Sequence, residues 1–129
     1  MTSVHRTGAP DVVAAVEAAF ARYEAALARA DAATLDALFW KDEAVTRFGA
    51  DEELRGHREI AAFNAARTPL PDRALAEVRI LAVNQDTAVV SAIFTEVGPG
   101  RTGRQMQTWA RIDGHWQVVA AHVSVVARL

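Results

Sequence analysis

Apolar residues recur through the first thirty positions at helical intervals. Val12/Val13, Val16, Phe20, Tyr23 and Leu27 are separated by steps of three and four, which lines them up on one stripe of a helix. Pro10-Asp11 is a start signal, because proline lacks only a donor that the first helical turn leaves unpaired anyway. The pattern predicts a helix from Pro10 to about Ala30, with Glu17, Arg22, Glu24 and Arg29 on its flank or outer face. Asp31 follows as a cap or turn residue, and Leu35, Leu38 and Phe39 predict a second, short helix over Ala33 to Phe39. The period changes at Lys41-Asp42-Glu43, a solvated turn. Ala44 to Phe48 then reads as a strand, Gly49-Ala50-Asp51 as a hairpin-like turn, and Glu53-Leu54-Arg55 as a second short strand stopped by Gly56. A third helix is expected from His57 to Ala66, with Ile60 and Phe63 inward.

Thr68-Pro69-Leu70-Pro71-Asp72 is a breaker cluster that separates this helical half from a run of strands. Four strands are expected at Arg73 to Val83, Asp86 to Val97, Arg101 to Asp113 and His115 to Ala127. Their turns fall at Asn84-Gln85-Asp86, Gly98-Pro99-Gly100 and Asp113-Gly114, the last a strong tight-hairpin signal. The second half is therefore an antiparallel meander. Strict alternation puts Gln105, Gln107, Trp109 and Arg111 on one face. In the last strand it puts Trp116, Val118, Ala120, His122 and Ser124 on one face and Val119, Ala121, Val123 and Val125 on the other. Read that way, the last strand is largely apolar on both faces. A sheet covered by helices on one side should show water a polar second face, so a second copy of the chain is expected to cover it, giving a homodimer through the sheet. The expected organisation is a flexible tail at 1–10 and one α+β domain at 11–129.

Composition narrows the chemistry. The 129 residues suffice for one domain, and the formal net charge of −2 leaves no electrostatic footprint for nucleic acid or an anionic membrane. Without cysteine there is no disulfide, thiolate nucleophile or zinc–thiolate site. No apolar run approaches the roughly 20 residues of a membrane span, and the N-terminus lacks an apolar signal core. A soluble cytoplasmic protein is expected. No pair of histidines has metal-ligand spacing with a carboxylate, so neither metal nor cofactor is expected. Lys41 is the only lysine, and the arginines supply rigid forks suited to carboxylates.

Two residues stand out physically. Arg47 lies beside Phe48 in a segment that should be buried, and a buried guanidinium requires either an internal carboxylate or a ligand. Tyr23 lies on the buried stripe of the first helix, so its hydroxyl requires either a backbone carbonyl or a cavity. Arg67, four residues beyond Phe63, sits near the same helix edge. His57 reads as a solvated residue of the first turn of its helix. His122 reads as a satisfied core histidine; its spacing from Ser124 hints at a dyad, but no acid stands at a telling distance.

The order of elements resembles the SnoaL-like, or nuclear-transport-factor-2-like, α+β cone, in which three N-terminal helices pack on a strongly curved, mainly antiparallel sheet. The closing hairpin Gln107-Thr108-Trp109-Ala110-Arg111-Ile112-Asp113-Gly114-His115-Trp116, with Ala121-His122-Val123-Ser124 after it, carries the resemblance. Within that superfamily the chain resembles the AtzH-like branch, shared with the HpxZ-like proteins of oxalurate catabolism. The matching pieces include Phe20-Ala21-Arg22-Tyr23-Glu24, Leu38-Phe39-Trp40, Thr46-Arg47-Phe48-Gly49, Ile60-Ala61-Ala62-Phe63-Asn64-Ala65-Ala66-Arg67 and Gly103-Arg104-Gln105-Met106-Gln107-Thr108-Trp109.

The resemblance implies a cone open at its wide end to a small carboxylate-bearing ligand such as a carboxylated urea or ureide. It implies Tyr23 and Arg47 as catalytic residues of a decarboxylating amidohydrolase of the 1,3-dicarboxyurea type. Arg47 would clamp the carboxylate and Tyr23 would give or take the proton. Arg67, Arg104, Gln105, Gln107, Trp40 and His122 are the candidate substrate-binding residues. Met106 departs from the branch, which often has serine there. Two other classes remain: a non-catalytic anion-binding partner of an amidase, and a polyketide- or steroid-type dehydratase or isomerase. The last requires an inward carboxylate base, and alternation places none on an obviously buried face.

Overall fold

A computed structural model describes residues 1–69, 72–98 and 100–126. Leu70 and Pro71 of the expected breaker, Pro99 of the second turn and Ala127 of the last strand lie outside the described residues.

Ten elements follow in order: β1 (Ser3–Thr7), α1 (Pro10–Arg29), α2 (Ala32–Leu38), β2 (Thr46–Phe48), β3 (Glu53–Arg55), α3 (His57–Ala65), β4 (Arg73–Asn84), β5 (Thr87–Glu96), β6 (Thr102–Ile112) and β7 (His115–Val126). Helix α1 has proline at its start and ends at Ala30 in the left-handed conformation, φ 54°. Asp31 caps α2, its carboxylate accepting from the Thr34 backbone N–H at 3.2 Å. The Asp113-Gly114 corner has both residues at positive φ, 51° and 79°, as a two-residue hairpin with matching twist requires.

The strands form one sheet in the order β1-β4-β5-β6-β7-β2-β3. The meander β4 to β7 is antiparallel, whereas β1 joins β4 and β2 joins β7 in parallel. The fold is thus α+β, three helices with a mixed and mostly antiparallel sheet. Its core is made by Val16, Tyr23, Leu35, Phe39, Ile60, Ile80, Val90, Trp109 and Val118, all essentially closed to solvent. No helix among the described residues is long and apolar enough to cross a membrane.

Two corrections to the sequence reading matter. The segment expected as a flexible tail forms β1, pairing from Ser3 opposite Glu77 to Thr7 opposite Leu81. Arg6 ties it to α1 through Glu17, Nε to Oε1 at 2.7 Å. Five residues with no apolar alternation gave no strand signal; the partner edge of β4 recruits them.

The second correction concerns β7. Its register against β6 shifts between Thr108 and Trp109, which face Ala120 and Val118, leaving Val119 as an extra residue. A bulge of one residue exchanges the two faces beyond it. Val118 and Ala121 are both buried although their separation is odd, and His122 is exposed. Much of the apolar content of β7 that alternation divides between two faces is therefore gathered on one.

Candidate active site

The open end of the sheet, with α1 and α3, surrounds a cavity of about 220 Å³. Tyr23 and Leu27 enter from α1, Arg47 from β2, Phe63 from α3 and Gln105 from β6, with Glu52 from the turn between β2 and β3. Arg67 follows α3, Arg73 opens β4, Phe94 and Glu96 close β5, and Val123 and Val125 come from β7.

Tyr23 is fully buried through its ring, which stands edge-on to Phe39 at 5.9 Å and to Trp109 at 6.4 Å. Its hydroxyl makes no hydrogen bond among the described residues. Of the two options left by the sequence, the cavity is the one taken.

Arg47 is 6% exposed, held where β2 pairs with Ala121 on one side and Leu54 on the other. It has an internal partner: its Nη1 donates to Glu52 Oε1. Its guanidinium also lies 5.1 Å from the Phe63 ring centroid, and its Nε is buried without a partner among the described residues. The hairpin brings Arg47 and Glu52 together, since Phe48 pairs with Glu53 and Gly49 donates to the Glu52 carbonyl at 2.9 Å.

Arg67 stacks on the same ring from 4.8 Å. Its Nε donates to Asn64 Oδ1 at 3.0 Å, and Asn64 in turn donates to Asp36 Oδ1 at 3.0 Å. Its Nη2 is buried and unpaired among the described residues. Burial above all, then the Arg47 charge and more weakly that of Arg73, hold this guanidinium below arginine's ordinary value, against the opposing influence of Tyr23 and Glu52.

Arg73 completes the interior. A register shift in β4 between Leu75 and Glu77 turns Arg73 and Leu75 inward together with Val78, Ile80 and Ala82. Its Nη2 donates to both oxygens of Glu24 at 2.7 and 2.8 Å, and its guanidinium rests 4.3 Å from the Phe94 centroid. Gln105 joins this pair, donating from Nε2 to Glu24 Oε2 at 2.9 Å and accepting from Arg73 at 3.3 Å. At the mouth, the half-exposed Arg101 donates to Glu96 Oε2 at 3.1 Å.

Of the residues expected from sequence, Tyr23, Arg47, Arg67 and Gln105 converge on the cavity. The others do not. Gln107 is buried deeper and accepts from the Trp109 indole N–H at 3.0 Å, a core role. Trp40 packs against the core after α2, outside the cavity lining. Arg104 and His122 are exposed on the outer face, where His122 pairs with Met106 across the strands. His122 is therefore neither a core histidine nor a cavity residue, and the bulge at Val119 leaves it in solvent. Met106, 55% exposed, also faces outward, so the missing serine takes no hydroxyl from the cavity.

Reading by alternation missed Glu52, Arg73, Glu24, Glu96 and Arg101. Glu52 was accessible in principle, because the expected hairpin places it opposite the Arg47 side. Arg73 was not, because nothing in the local pattern announces the register shift. Glu24 looked like an outer-face charge, yet its side chain is only 17% exposed, drawn in by Arg73. Among the described residues no three His, Asp or Glu side chains are arranged to hold a metal ion.

Comparison with solved structures gives the family context. A protein of unknown function from the DUF3225 family of Pectobacterium atrosepticum is 49% identical, with a TM-score of 0.88 over 92% of this chain and 94% of that one. A cystatin-like fold protein from Burkholderia xenovorans is 41% identical, with a TM-score of 0.88 over 93% and 95%. A nuclear transport factor 2-like superfamily protein from Salmonella enterica shares the fold at 24% identity, with a TM-score of 0.69 over 88% and 89%. No curated protein matches the sequence. The AtzH-like family model matches residues 5–128. From β1 to the end of the sheet, this chain belongs to the AtzH-like family.

Proposed function

We propose that the protein is a cytoplasmic small-molecule hydrolase that cleaves a C–N bond of a carboxylated urea or ureide, with decarboxylation of the product. The observation that carries this reading is the Tyr23 hydroxyl, which makes no hydrogen bond to a described residue and faces a cavity walled by Arg47 and Arg67. The arginines, both over the Phe63 ring, hold the substrate carboxylate and orient the urea. Water adds to the urea carbonyl, and Tyr23 delivers a proton to the departing nitrogen. The C–N bond breaks to give an amine and a carbamic acid, and the latter loses carbon dioxide. Arg47 shares its charge with Glu52, so it serves chiefly to set the floor of the site, and Arg67 supplies the open fork.

The test is incubation of the purified protein with a series of carboxylated ureas and ureides while ammonia and carbon dioxide are measured. Release that falls at least about 10²-fold in Tyr23→Phe, the range ascribed to a positioned proton donor, supports the reading. Full turnover in both Tyr23→Phe and Arg47→Lys defeats it.

One observation favours a second reading, a non-catalytic anion-binding partner of an amidase. Glu52 and Glu96 line the cavity and Glu24 stands behind Arg73, contrary to the sequence expectation of no inward carboxylate, but each is engaged by an arginine. Each being held by a guanidinium, none of the three stands as a free base, which also disfavours a dehydratase or isomerase. Turnover that appears only when an amidase is added selects the partner reading.

We also infer a homodimer through the outer sheet face. Support comes from Met106, which is exposed there among the half-covered Val89, Ile93, Ala120 and Phe48. Met106→Glu should shift the protein from dimer to monomer in size-exclusion chromatography with light scattering; a wild-type monomer ends this inference.

A further inference from the structure

Asn64 is 1% exposed and stands in the last turn of α3, among Ala61, Ala62, Phe63 and Ala65. Asparagine is a weaker helix former than alanine, and a buried amide requires a partner at each end. Asn64 has one of each kind. Its Oδ1 accepts from Arg67 Nε at 3.0 Å, and its Nδ2 donates to Asp36 Oδ1 at 3.0 Å. A guanidinium only donates and an ionised carboxylate only accepts, so these two partners fix the sense of the amide. Asp36 is itself held, because its carbonyl accepts from His57 Nε2 at 2.8 Å in the first turn of α3. The backbone N–H of Arg67 donates to the Asn64 carbonyl at 3.2 Å, so Asn64 holds both the main chain and the side chain of Arg67.

The other cavity arginines each meet a carboxylate directly, Arg47 at Glu52, Arg73 at Glu24 and Arg101 at Glu96. Arg67 meets an amide in that role, with the Asp36 carboxylate behind the amide. We propose that Asn64 is a positioning residue: it orients the Arg67 guanidinium through Nε and, being neutral, leaves the charge and the terminal nitrogens to the carboxylate of the ligand. The inference rests on the reading that Arg67 meets that carboxylate, and adds what keeps Arg67 available for it. A carboxylate at position 64 would make the same hydrogen bond but answer the charge from within. An apolar residue there would leave the charge but free the guanidinium to rotate, and a ligand would then have to immobilise it. The amide avoids both outcomes. Nη2 of Arg67 is accordingly buried and unpaired among the described residues, while the Phe63 ring supports the guanidinium from 4.8 Å. Two successive residues of α3, Phe63 and Asn64, thus fix where this cation stands.

A reciprocal swap separates this role from that of a clasp between α2 and α3. Asn64→Asp combined with Asp36→Asn keeps the side-chain volumes, the net charge and the hydrogen bonds, but moves the carboxylate from behind the amide onto Arg67. Malonate, a small dicarboxylate, is the probe. Titration calorimetry on the full chain should find it bound at least about tenfold more weakly by the swap, the worth of one charge-assisted hydrogen bond. The melting temperature of the swap should stay within about 4 °C of wild type. Added to Arg67→Gln, the swap should change the affinity no further, because Asn64 acts through Arg67. Wild-type affinity in the swap, an equal further loss in the Arg67→Gln background, or no malonate binding by the wild type would overturn the proposal. If the swap does not fold, nitrogen NMR of the labelled wild type decides. Malonate should shift the Arg67 Nη signals while its Nε–H stays protected from exchange, and loss of that protection on binding overturns the proposal equally. The hydrolase reading fails separately: malonate binding that depends on Asn64, without turnover of any ureide, removes the reaction and leaves the positioning role. Turnover of ureides with malonate bound equally by the swap does the reverse.

Discussion

The ring of Tyr23 is packed edge-on against Phe39 and Trp109, while its hydroxyl makes no hydrogen bond to a described residue. Ring and hydroxyl therefore separate cleanly by mutation. Tyr23→Phe keeps the packing and removes only the group facing the cavity, so its unfolding free energy should stay within about 1 kcal/mol of wild type, since no protein hydrogen bond is lost. A larger loss in chemical denaturation would mean that the hydroxyl holds the fold. Arg47 and Arg67 share the Phe63 ring but differ in the same way. Arg47→Met strands Glu52, whose side chain is only 19% exposed, and should destabilise by about 1–3 kcal/mol. Arg67→Met removes a half-buried charge that lacks a carboxylate, and should leave the melting temperature unchanged or raise it. The opposite ranking of the two variants would contradict the pairing described above.

Among the elements, the strand irregularities decide most. The shift in β4 turns Arg73 inward, and the extra residue in β7 gathers Val118 and Ala121 on the buried face. Periodicity recovers the existence and limits of these strands closely, because helical and strand periods are local properties. It cannot recover a bulge, which is settled by the fit of one strand to its neighbour. The β5–β6 pair shows the same dependence. Gly103 stands opposite Phe94, and a Cβ built on it would lie 2.0 Å from the Phe94 ring. The ring lies over the glycine and carries Arg73 on its other surroundings, 4.3 Å from the guanidinium. Gly103→Ala should therefore displace the ring, lower stability by about 1–3 kcal/mol as other overpacked sites do, and weaken ligand binding together with it. A thermal melt and a binding titration on the same variant test both effects; wild-type values in each would show that Phe94 can move freely.

At the scale of the whole molecule, several surface carboxylates are held ionised by folding. Glu17 lies below its ordinary value through its hydrogen bond to Arg6, Glu77 through Arg79, and Asp31 through the Thr34 hydroxyl and backbone N–H. A carboxyl whose value is depressed in the folded state stabilises above its unfolded value and loses that contribution as pH falls through the folded one. Stability should be flat from neutrality to about pH 5 and then decline with acid. Because these ion pairs are partly exposed to solvent, added salt should reduce the part due to Arg6–Glu17 and Glu77–Arg79. Glu17→Gln should lessen the acid dependence by the share belonging to the β1–α1 tie. Denaturation midpoints measured across pH for both proteins check this, and identical curves would remove that tie from the account.

Composition and spacing sufficed for the order of α1 to β7, for Tyr23 on the buried stripe of α1, and for a cation at Arg47 that had to be answered by something. These follow from steric and solvation rules acting over a few residues. What answers that cation, and which cation is left unanswered, depends on contacts between residues far apart in the chain. Glu24 meets Arg73 and Gln105 across three elements, β1 becomes a strand only because β4 offers an edge, and His122 loses its expected place because a single extra residue turns β7. Burial of charge obliges pairing, but only the tertiary arrangement selects the pairs.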